Sequence, residues 1–168
     1  KWSFIYQKKT FGQFDPLGLL TPYTVALKIL FQEVWRAGHD WDTPLPDDVQ
    51  DDIEGWVEGL GKINKWKIPR RITRQSWTGQ ENSELVVFVD ASEKAYGCCI
   101  YLKTFDENGP YVTLVTSKVR VAPLKKVTLP RLELLSALLG ARLLKFVISA
   151  LELPEDIPYT CLTDSKIA

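Results

Sequence analysis

Three carboxylates, at two predicted strand ends and one predicted helix start, have the chemistry of a divalent-metal site. Asp90 follows the apolar run 85–89, Asp164 follows the predicted strand 159–163, and Glu133 lies in the first turn of a predicted apolar helix. Taken singly, each is better explained as a solvated turn residue or a partner of the helix dipole. Carboxylate oxygens are the hard ligands that Mg²⁺ prefers, and two such ions about 4 Å apart promote phosphodiester hydrolysis. The ordered set of three therefore predicts two-metal hydrolysis, with Mg²⁺ or Mn²⁺ as the cofactor.

The elements that must position these acids follow from the pattern of apolar residues. Runs rich in Val, Tyr, Phe and Ile predict three strands in an antiparallel meander, with residues 106–109 as the second turn. An apolar helix then packs on the sheet, and a short strand returns parallel beside the first, which obeys the right-handed crossover rule. The predicted strands are 85–90, 96–103, 111–118 and 159–163, and the helix is 130–151. The pattern predicts an α+β or α/β fold with a mixed sheet.

A helical segment precedes the predicted sheet. Thr21 is the predicted N-cap of a first helix, with Pro22 at its first position and Gly38 at its end. Acidic residues at 47–48 start a second helix, which Pro69 stops. The following stretch is polar and has neither a helical nor a strand period, which is typical of a connector. The predicted organisation is a helical segment at 1–68, a connector at 69–83 and a sheet domain at 84–168.

Short phrases over most of the chain occur in the order of a known family. In the second half they are Val-Asp-Ala-Ser at 89–92, Ala-Tyr-Gly-Cys-Cys-Ile-Tyr-Leu at 95–102, Ser-Lys-Val-Arg-Val-Ala-Pro at 117–123, Leu-Pro-Arg-Leu-Glu-Leu at 129–134 and Thr-Asp-Ser at 163–165. These resemble the ribonuclease H region of BEL/Pao-type LTR retrotransposon Pol polyproteins. Phe-Asp-Pro-Leu-Gly-Leu-Leu-Thr-Pro at 14–22 and Asp-Trp-Asp at 40–42 resemble the segment after the reverse-transcriptase core.

The resemblance implies a truncated ribonuclease H-like sheet after a thumb- or connection-like helical segment. It implies hydrolysis of the RNA strand of RNA–DNA hybrids, with Asp90 bridging two ions and Glu133 and Asp164 each holding one. A fourth acidic ligand would lie beyond Ala168, so we expect this segment alone to be weakly active or inert. The implied partners are the hybrid, the reverse-transcriptase core upstream, and the remaining ribonuclease H and integrase downstream. The implied location is intracellular, in a cytoplasmic particle or the nucleus.

Nucleic-acid binding requires positive charge near the three acids. Five cations cluster between the third strand and the helix, where they can meet the phosphates of a duplex, although a solvated loop explains them equally well. Ser92 is a candidate contact to a phosphate or 2′-hydroxyl, and its alternative role is a turn hydroxyl. The five cations are Lys118, Arg120, Lys125, Lys126 and Arg131.

Composition limits the other classes of function. Twenty-one basic and 21 acidic residues give a formal net charge of zero, so any polyanion contact must come from local clusters. The three cysteines have neither disulfide nor zinc spacing and are predicted to be small, buried and reduced. The sequence contains no apolar stretch long enough to span a bilayer and no signal sequence, so we expect neither a membrane partner nor secretion.

Two alternatives to a nuclease stay open. A domesticated or decayed element can keep the fold as a structural or nucleic-acid-binding remnant without catalysis. The matching retrotransposon region is also classed with peptidases, but an aspartic peptidase needs a glycine where Ser92 stands, so that interpretation is weaker.

Four tryptophans are interpreted as anchors between helices rather than as surfaces for stacking bases. They are Trp35, Trp41, Trp56 and Trp66.

Overall fold

The computed structural model describes residues 15–39, 44–63, 65–69, 71–74 and 83–165. Its helices and strands follow the predicted order. They are α1 (Thr21–Arg36), α2 (Asp47–Ile63), β1 (Ser83–Ala91), β2 (Ala95–Asp106), β3 (Gly109–Val121), α3 (Leu129–Ala150) and β4 (Tyr159–Leu162). Two helices thus precede a four-stranded sheet, and the longest helix lies between its third and fourth strands.

Helix α1 is capped by a different residue from the one predicted. Leu20, not Thr21, is the N-cap, because the Leu20 carbonyl already accepts the amide of Thr24 at 2.9 Å. The carboxylate of Asp15 accepts the amides of Leu19 and Leu20, both at 2.9 Å, and so satisfies backbone donors just ahead of the helix. Asp15 therefore supports the turn that leads into α1, and the N-cap itself makes no side-chain hydrogen bond.

Helix α2 packs on α1 through one aromatic pair. The rings of Tyr23 and Trp56 stack with centroids 4.8 Å apart, and the Trp56 indole N–H donates to the Tyr23 carbonyl at 3.0 Å. The Tyr23 hydroxyl donates to the Trp56 carbonyl in return. The anchor prediction is confirmed at Trp56 and wrong at Trp35 and Trp66, which are 60% and 67% exposed. Aromatic size alone does not place a side chain in a core. Trp41 lies outside the described residues.

The sheet has the strand order β3-β2-β1-β4. Strand β2 pairs antiparallel with both β1 and β3, and β4 pairs parallel with β1, so the predicted meander and parallel return are confirmed. Strands β2 and β3 are longer than predicted, because their ladder continues to the turn at 107–108. Gly109 leaves that turn with φ +95°, a conformation that glycine adopts without strain.

Helix α3 covers one face of β1 and β2 at short range. A β carbon added at Gly140 would stand 2.6 Å from Cγ1 of Val89 and 3.4 Å from Cγ1 of Val87, so the backbone of α3 lies directly on the sheet. The core is formed by alternate residues of the two strands and the inner side of the helix. Its fully buried members are Leu85, Val87, Ile100, Leu102, Leu132 and Ser136.

The three cysteines differ in burial according to their positions on the sheet. Cys98 is buried under α3, and burial raises the pKa of its thiol to about 11, so the thiol stays protonated at neutral pH. Cys99 is half-buried, and burial raises its pKa as well. Cys161 is exposed, which corrects the prediction that all three are buried. The reason is its place on β4, an edge strand whose four residues are all exposed.

Strand β4 is held to β1 by more than its ladder. The hydroxyl of Thr160 donates to one carboxylate oxygen of Glu84 at 2.6 Å, and the ammonium of Lys103 reaches the other at 3.3 Å. These two hydrogen bonds, that of Thr160 first, lower the pKa of Glu84 below its usual value. The far edge of β4 is unpaired within the described residues, and an open edge of this kind favours association with another strand.

The helical segment docks on the sheet through β3. The Leu17 carbonyl accepts the amide of Ser117 at 2.9 Å and the hydroxyl of Thr116 at 3.0 Å, and the Ser117 hydroxyl donates to the Gly18 carbonyl at 2.5 Å. Gly18 has φ +69°, and a β carbon there would stand 2.0 Å from the Ser117 carbonyl oxygen. Only glycine permits this contact, which joins the two parts of the chain.

Replacing Gly18 with alanine should therefore weaken the docking. We expect Gly18→Ala to lower the free energy of unfolding by more than about 2 kcal/mol, since it combines left-handed strain with a backbone clash. Gly38→Ala is the matched control, because Gly38 also has positive φ but has open space around it, so its free energy of unfolding should fall by about 1 kcal/mol. Urea denaturation of both variants measures the difference. Equal decreases would mean that the contact with Ser117 contributes nothing to stability.

Candidate functional site

Asp90 and Asp164 lie at neighbouring strand ends. Phe88 of β1 pairs in parallel with Leu162 of β4, and each aspartate follows its paired residue by two positions. The carboxyl ends of parallel strands meet at one edge of a sheet, so both carboxylates belong to the same edge. The alternation of side chains along β1 decides to which face of the sheet Asp90 points. Val89 packs under α3, so Asp90 points to the opposite face, together with the 43% exposed Phe88.

Glu133 reaches the same edge from the first turns of α3. Its Oε2 accepts a hydrogen bond of 2.6 Å from the hydroxyl of Ser165, the residue after Asp164. The bond ties the start of α3 to the chain that leaves β4. Ser165 belongs to the Thr-Asp-Ser phrase at 163–165, but its hydrogen bond to Glu133 was not predicted from the sequence. Its position two residues after a predicted strand end and beside a candidate ligand was the available signal.

The three acids are neighbours at one edge without converging on one point. The Asp90 carboxylate accepts the amide of Ala91 at 2.6 Å, and Glu133 is engaged with Ser165. Across the described ranges, no set of three or more histidine, cysteine, aspartate or glutamate side chains is close enough to hold a metal ion. The donor set has the chemistry that Mg²⁺ requires, since it consists of carboxylate oxygens. The assignment of Asp90, Glu133 and Asp164 as shared metal ligands stays a prediction.

The five predicted nucleic-acid cations separate into two groups. Lys125 and Lys126 are exposed in the loop between β3 and α3, and Arg131 is exposed in the first turn of α3. Because Val121 pairs with Ala95 beside the β1–β2 turn, this loop lies at the same end of the sheet as Asp90. We call Lys125, Lys126 and Arg131 the loop cations.

The other two cations lie on β3 under the helices. Lys118 pairs with Cys98 and Arg120 pairs with Tyr96, two residues that are buried on the α3 face. Paired residues of a sheet share a face, so Lys118 and Arg120 point toward α3. There they line a groove between α1 and α3, away from the face to which Asp90 points.

Ser92 is engaged inside the β1–β2 turn. Its hydroxyl donates to the Ala95 carbonyl at 3.1 Å and accepts the amides of Ala95 and Lys94 at 3.2 and 3.3 Å. These bonds support the turn-hydroxyl interpretation. The predicted contact between Ser92 and a nucleic acid stays a prediction, and it would require the hydroxyl to add a partner to the turn.

Helix α1 holds both loops that flank the Asp90 end. The side-chain amide of Gln32 donates to the Ala122 carbonyl at 2.6 Å, and the carboxylate of Glu33 pairs with Lys94 at 3.0 Å. Ala122 in turn donates its amide to the Lys94 carbonyl at 2.8 Å. The helical segment therefore fixes the start of the loop that carries the loop cations. No local sequence signal identified Gln32, because its partner is 90 residues away.

Comparison with known families agrees with this architecture. The family model described as Pao retrotransposon-like RNaseH-like domain matches residues 7–165. The chain belongs to this family. The Pao domain thus spans both the helical segment and the sheet, and its four-stranded mixed sheet with flanking helices is a ribonuclease H-like α+β fold. Membership supports the prediction that the chain is part of a Pao-type retrotransposon Pol protein.

Two further searches give a negative result. No curated protein and no solved structure matches the chain. Among the helices of the Pao domain that the structure describes, none is long and apolar enough to cross a membrane.

The role of α1 in the Pao domain can be tested at Gln32. Gln32→Leu removes the donor to the Ala122 carbonyl, so we expect the unfolding free energy to fall by about 0.5–1.5 kcal/mol. Amide hydrogen exchange at 122–128 should become faster. Gln32→Lys keeps a donor on a side chain of similar reach and should restore most of the protection. If neither variant changes exchange in this loop, α1 does not position it.

Proposed function

We propose that this Pao domain hydrolyses the RNA strand of RNA–DNA hybrids as part of a retrotransposon Pol protein. The observation that carries the proposal is the bond between Glu133 and Ser165. It brings the acid at the start of α3 to the residue beside Asp164, at the sheet edge where β1 ends in Asp90. Family membership supports the same reaction class. The proposed setting is a cytoplasmic particle or the nucleus, where the Pol protein meets its hybrid.

The carboxylates are proposed to hold Mg²⁺ or Mn²⁺. Bound divalent ions supply an activated water and stabilise the leaving oxygen of a phosphodiester. Asp90, Glu133 and Asp164 would be the residues that hold them. Ser165 orients Glu133 through Oε2, so the carboxylate can coordinate through Oε1.

The loop cations are proposed to position the hybrid. Lys125, Lys126 and Arg131 are exposed at the Asp90 end, where they can contact the phosphates that flank the cleaved bond. Such contacts fix the register of the duplex and carry no base sequence. Selection of a hybrid would come from 2′-hydroxyl contacts on the RNA strand and from duplex shape. Ser92, beside Asp90 in the chain, is the proposed hydroxyl contact.

One observation favours a second candidate, a hybrid-binding domain without catalysis. The described side chains do not form a closed set of metal ligands, although the cations of the loop are in place. A domain of this kind would bind a hybrid through phosphate contacts and leave both strands intact. The two candidates differ in their dependence on Asp90 and on divalent ions.

Neutralising Asp90 separates the two candidates. In the parent Pol protein with Mg²⁺ or Mn²⁺, Asp90→Asn should reduce cleavage of an end-labelled hybrid roughly a hundred-fold or more, the scale of losing an electrostatic stabiliser. Glu93→Gln is the matched control, because Glu93 is an exposed acid in the adjacent turn, and it should cleave normally. Cleavage that is equal in both variants would exclude Asp90 from catalysis and overturn the proposed site. A folded protein that binds the hybrid and never cleaves it would favour the binding domain.

The contribution of the loop cations to hybrid binding can be measured from the dependence of the affinity on salt concentration. Replacing Lys125 and Lys126 with glutamine should lower the slope of log affinity against log salt by roughly 0.7–0.9 for each lysine that binds a phosphate. The comparison variant is Lys145→Gln, which removes an exposed lysine far along α3 from Asp90 and should leave the slope unchanged. Fluorescence anisotropy with a labelled hybrid gives both slopes. A slope that is the same in all proteins would exclude Lys125 and Lys126 as phosphate ligands.

A further inference from the structure

A groove with apolar walls and a cationic rim lies between α1 and α3. Its volume is about 600 Å³, and its floor is formed by β2 and β3 on the face that α3 covers. None of Asp90, Glu133 and Asp164 lines it. The groove is therefore separate from the proposed hydrolytic site, and its occupant can differ from the hybrid.

The base of the groove is aliphatic. Leu27 from α1 and Leu139 and Leu143 from α3 are buried at its base. Higher on the α3 wall, Leu138 is 45% exposed and Phe146 is 65% exposed. Large apolar side chains that remain open to solvent beside a concave surface are typical of an interaction site.

The rim carries an excess of positive charge. Lys28 comes from α1, Arg142 from α3, and Lys118 and Arg120 from β3. Within the described residues, none of these four is in an ion pair. The acidic residue of the lining, Asp15, already accepts two backbone amides ahead of α1. A partner with negative charge on either side of an apolar surface would complement this rim.

We propose that the groove binds an amphipathic helix of a partner protein, one with an apolar face flanked by acidic residues. The aliphatic base would receive the apolar face, and the four cations would pair with the flanking carboxylates. Helix-in-groove recognition uses this combination of apolar anchors and polar rim. The groove lies between two helices that are already packed on the sheet, so a third helix completes an existing layer.

The lining favours a peptide over a single nucleic-acid strand. Binding of single strands depends on aromatic faces that are open to stacking bases. Of the four aromatic residues in the lining, Trp56 is stacked on Tyr23, Tyr96 is only 9% exposed and Phe31 is half-buried. Phe146 is the one open ring, so the groove does not offer a row of rings for successive bases. The cations alone would attract either polyanion, but the aliphatic base matches leucine-like side chains.

The test uses a fluorescein-labelled synthetic helix with leucines on one face and glutamates on both flanks. Its neutral counterpart has glutamines in place of the glutamates, and labelled oligothymidylate represents a single strand. We expect this chain to bind the acidic helix at least about ten-fold more tightly than either comparison probe, as measured by anisotropy. Arg142→Glu and Lys28→Glu should each weaken that binding about ten-fold.

The matched control is Lys145→Glu, which makes the same charge change on the same helix outside the groove. Lys145→Glu should bind the acidic helix as tightly as the unchanged chain does. Asp90→Asn should also bind it equally tightly, which would show that helix binding does not depend on the proposed hydrolytic site. Equal weakening in Lys145→Glu and Arg142→Glu would reduce the effect to overall charge and overturn the proposal. Tighter binding of oligothymidylate than of the acidic helix, or no binding of either, would overturn it as well.

Discussion

The close approach of α3 to β1 is the contact on which the remaining geometry depends. Gly140 brings the helix backbone against Val87 and Val89, and this depth fixes the height of the whole helix above the sheet. With that height set, the start of α3 lies where Glu133 meets Ser165, beyond the end of β4. A larger side chain at Gly140 would lift the helix, because protein cores do not absorb extra volume without displacement. One glycine near the middle of a helix thus controls a contact almost two turns away.

The second constraint is the docking of the helical segment on β3. Leu17 and Gly18 continue the hydrogen bonding of the β3 edge, and α1 then runs along the strand toward the Asp90 end. There Gln32 and Glu33 contact the two loops beside the proposed site. The segment and the sheet therefore share both an interface and the loops, which accounts physically for a single family model spanning 7–165. A helical segment that only preceded the sheet in the chain would leave the edge of β3 open to other strands.

The parts that local patterns determine were predictable, and the parts that depend on long-range contacts were not. Short runs rich in β-branched and aromatic residues predicted the strands, and the long apolar stretch of α3 predicted the helix and, with it, the parallel return. The cap at Leu20 was missed because it depends on a backbone hydrogen bond from Thr24 and not on a capping side chain, which is the signal that a sequence carries. Exposure of Cys161 depends on its edge position, which composition does not reveal. Lys28 and Arg142 are far apart in the chain, so their meeting across a groove has no local signature.

The zero net charge of the chain hides a strong separation of charge. Helix α2 carries aspartates in its first turn, including Asp47 and Asp48, and they are exposed. Two groups of cations lie elsewhere, one along the groove between α1 and α3 and one in and next to the loop before α3. Exposed charges more than about 10 Å apart are largely screened at 0.1 M salt, so each surface acts through its own local field. A domain that is neutral as a whole can therefore attract polyanions and acidic helices at separate places, and bulk charge is a poor guide to either.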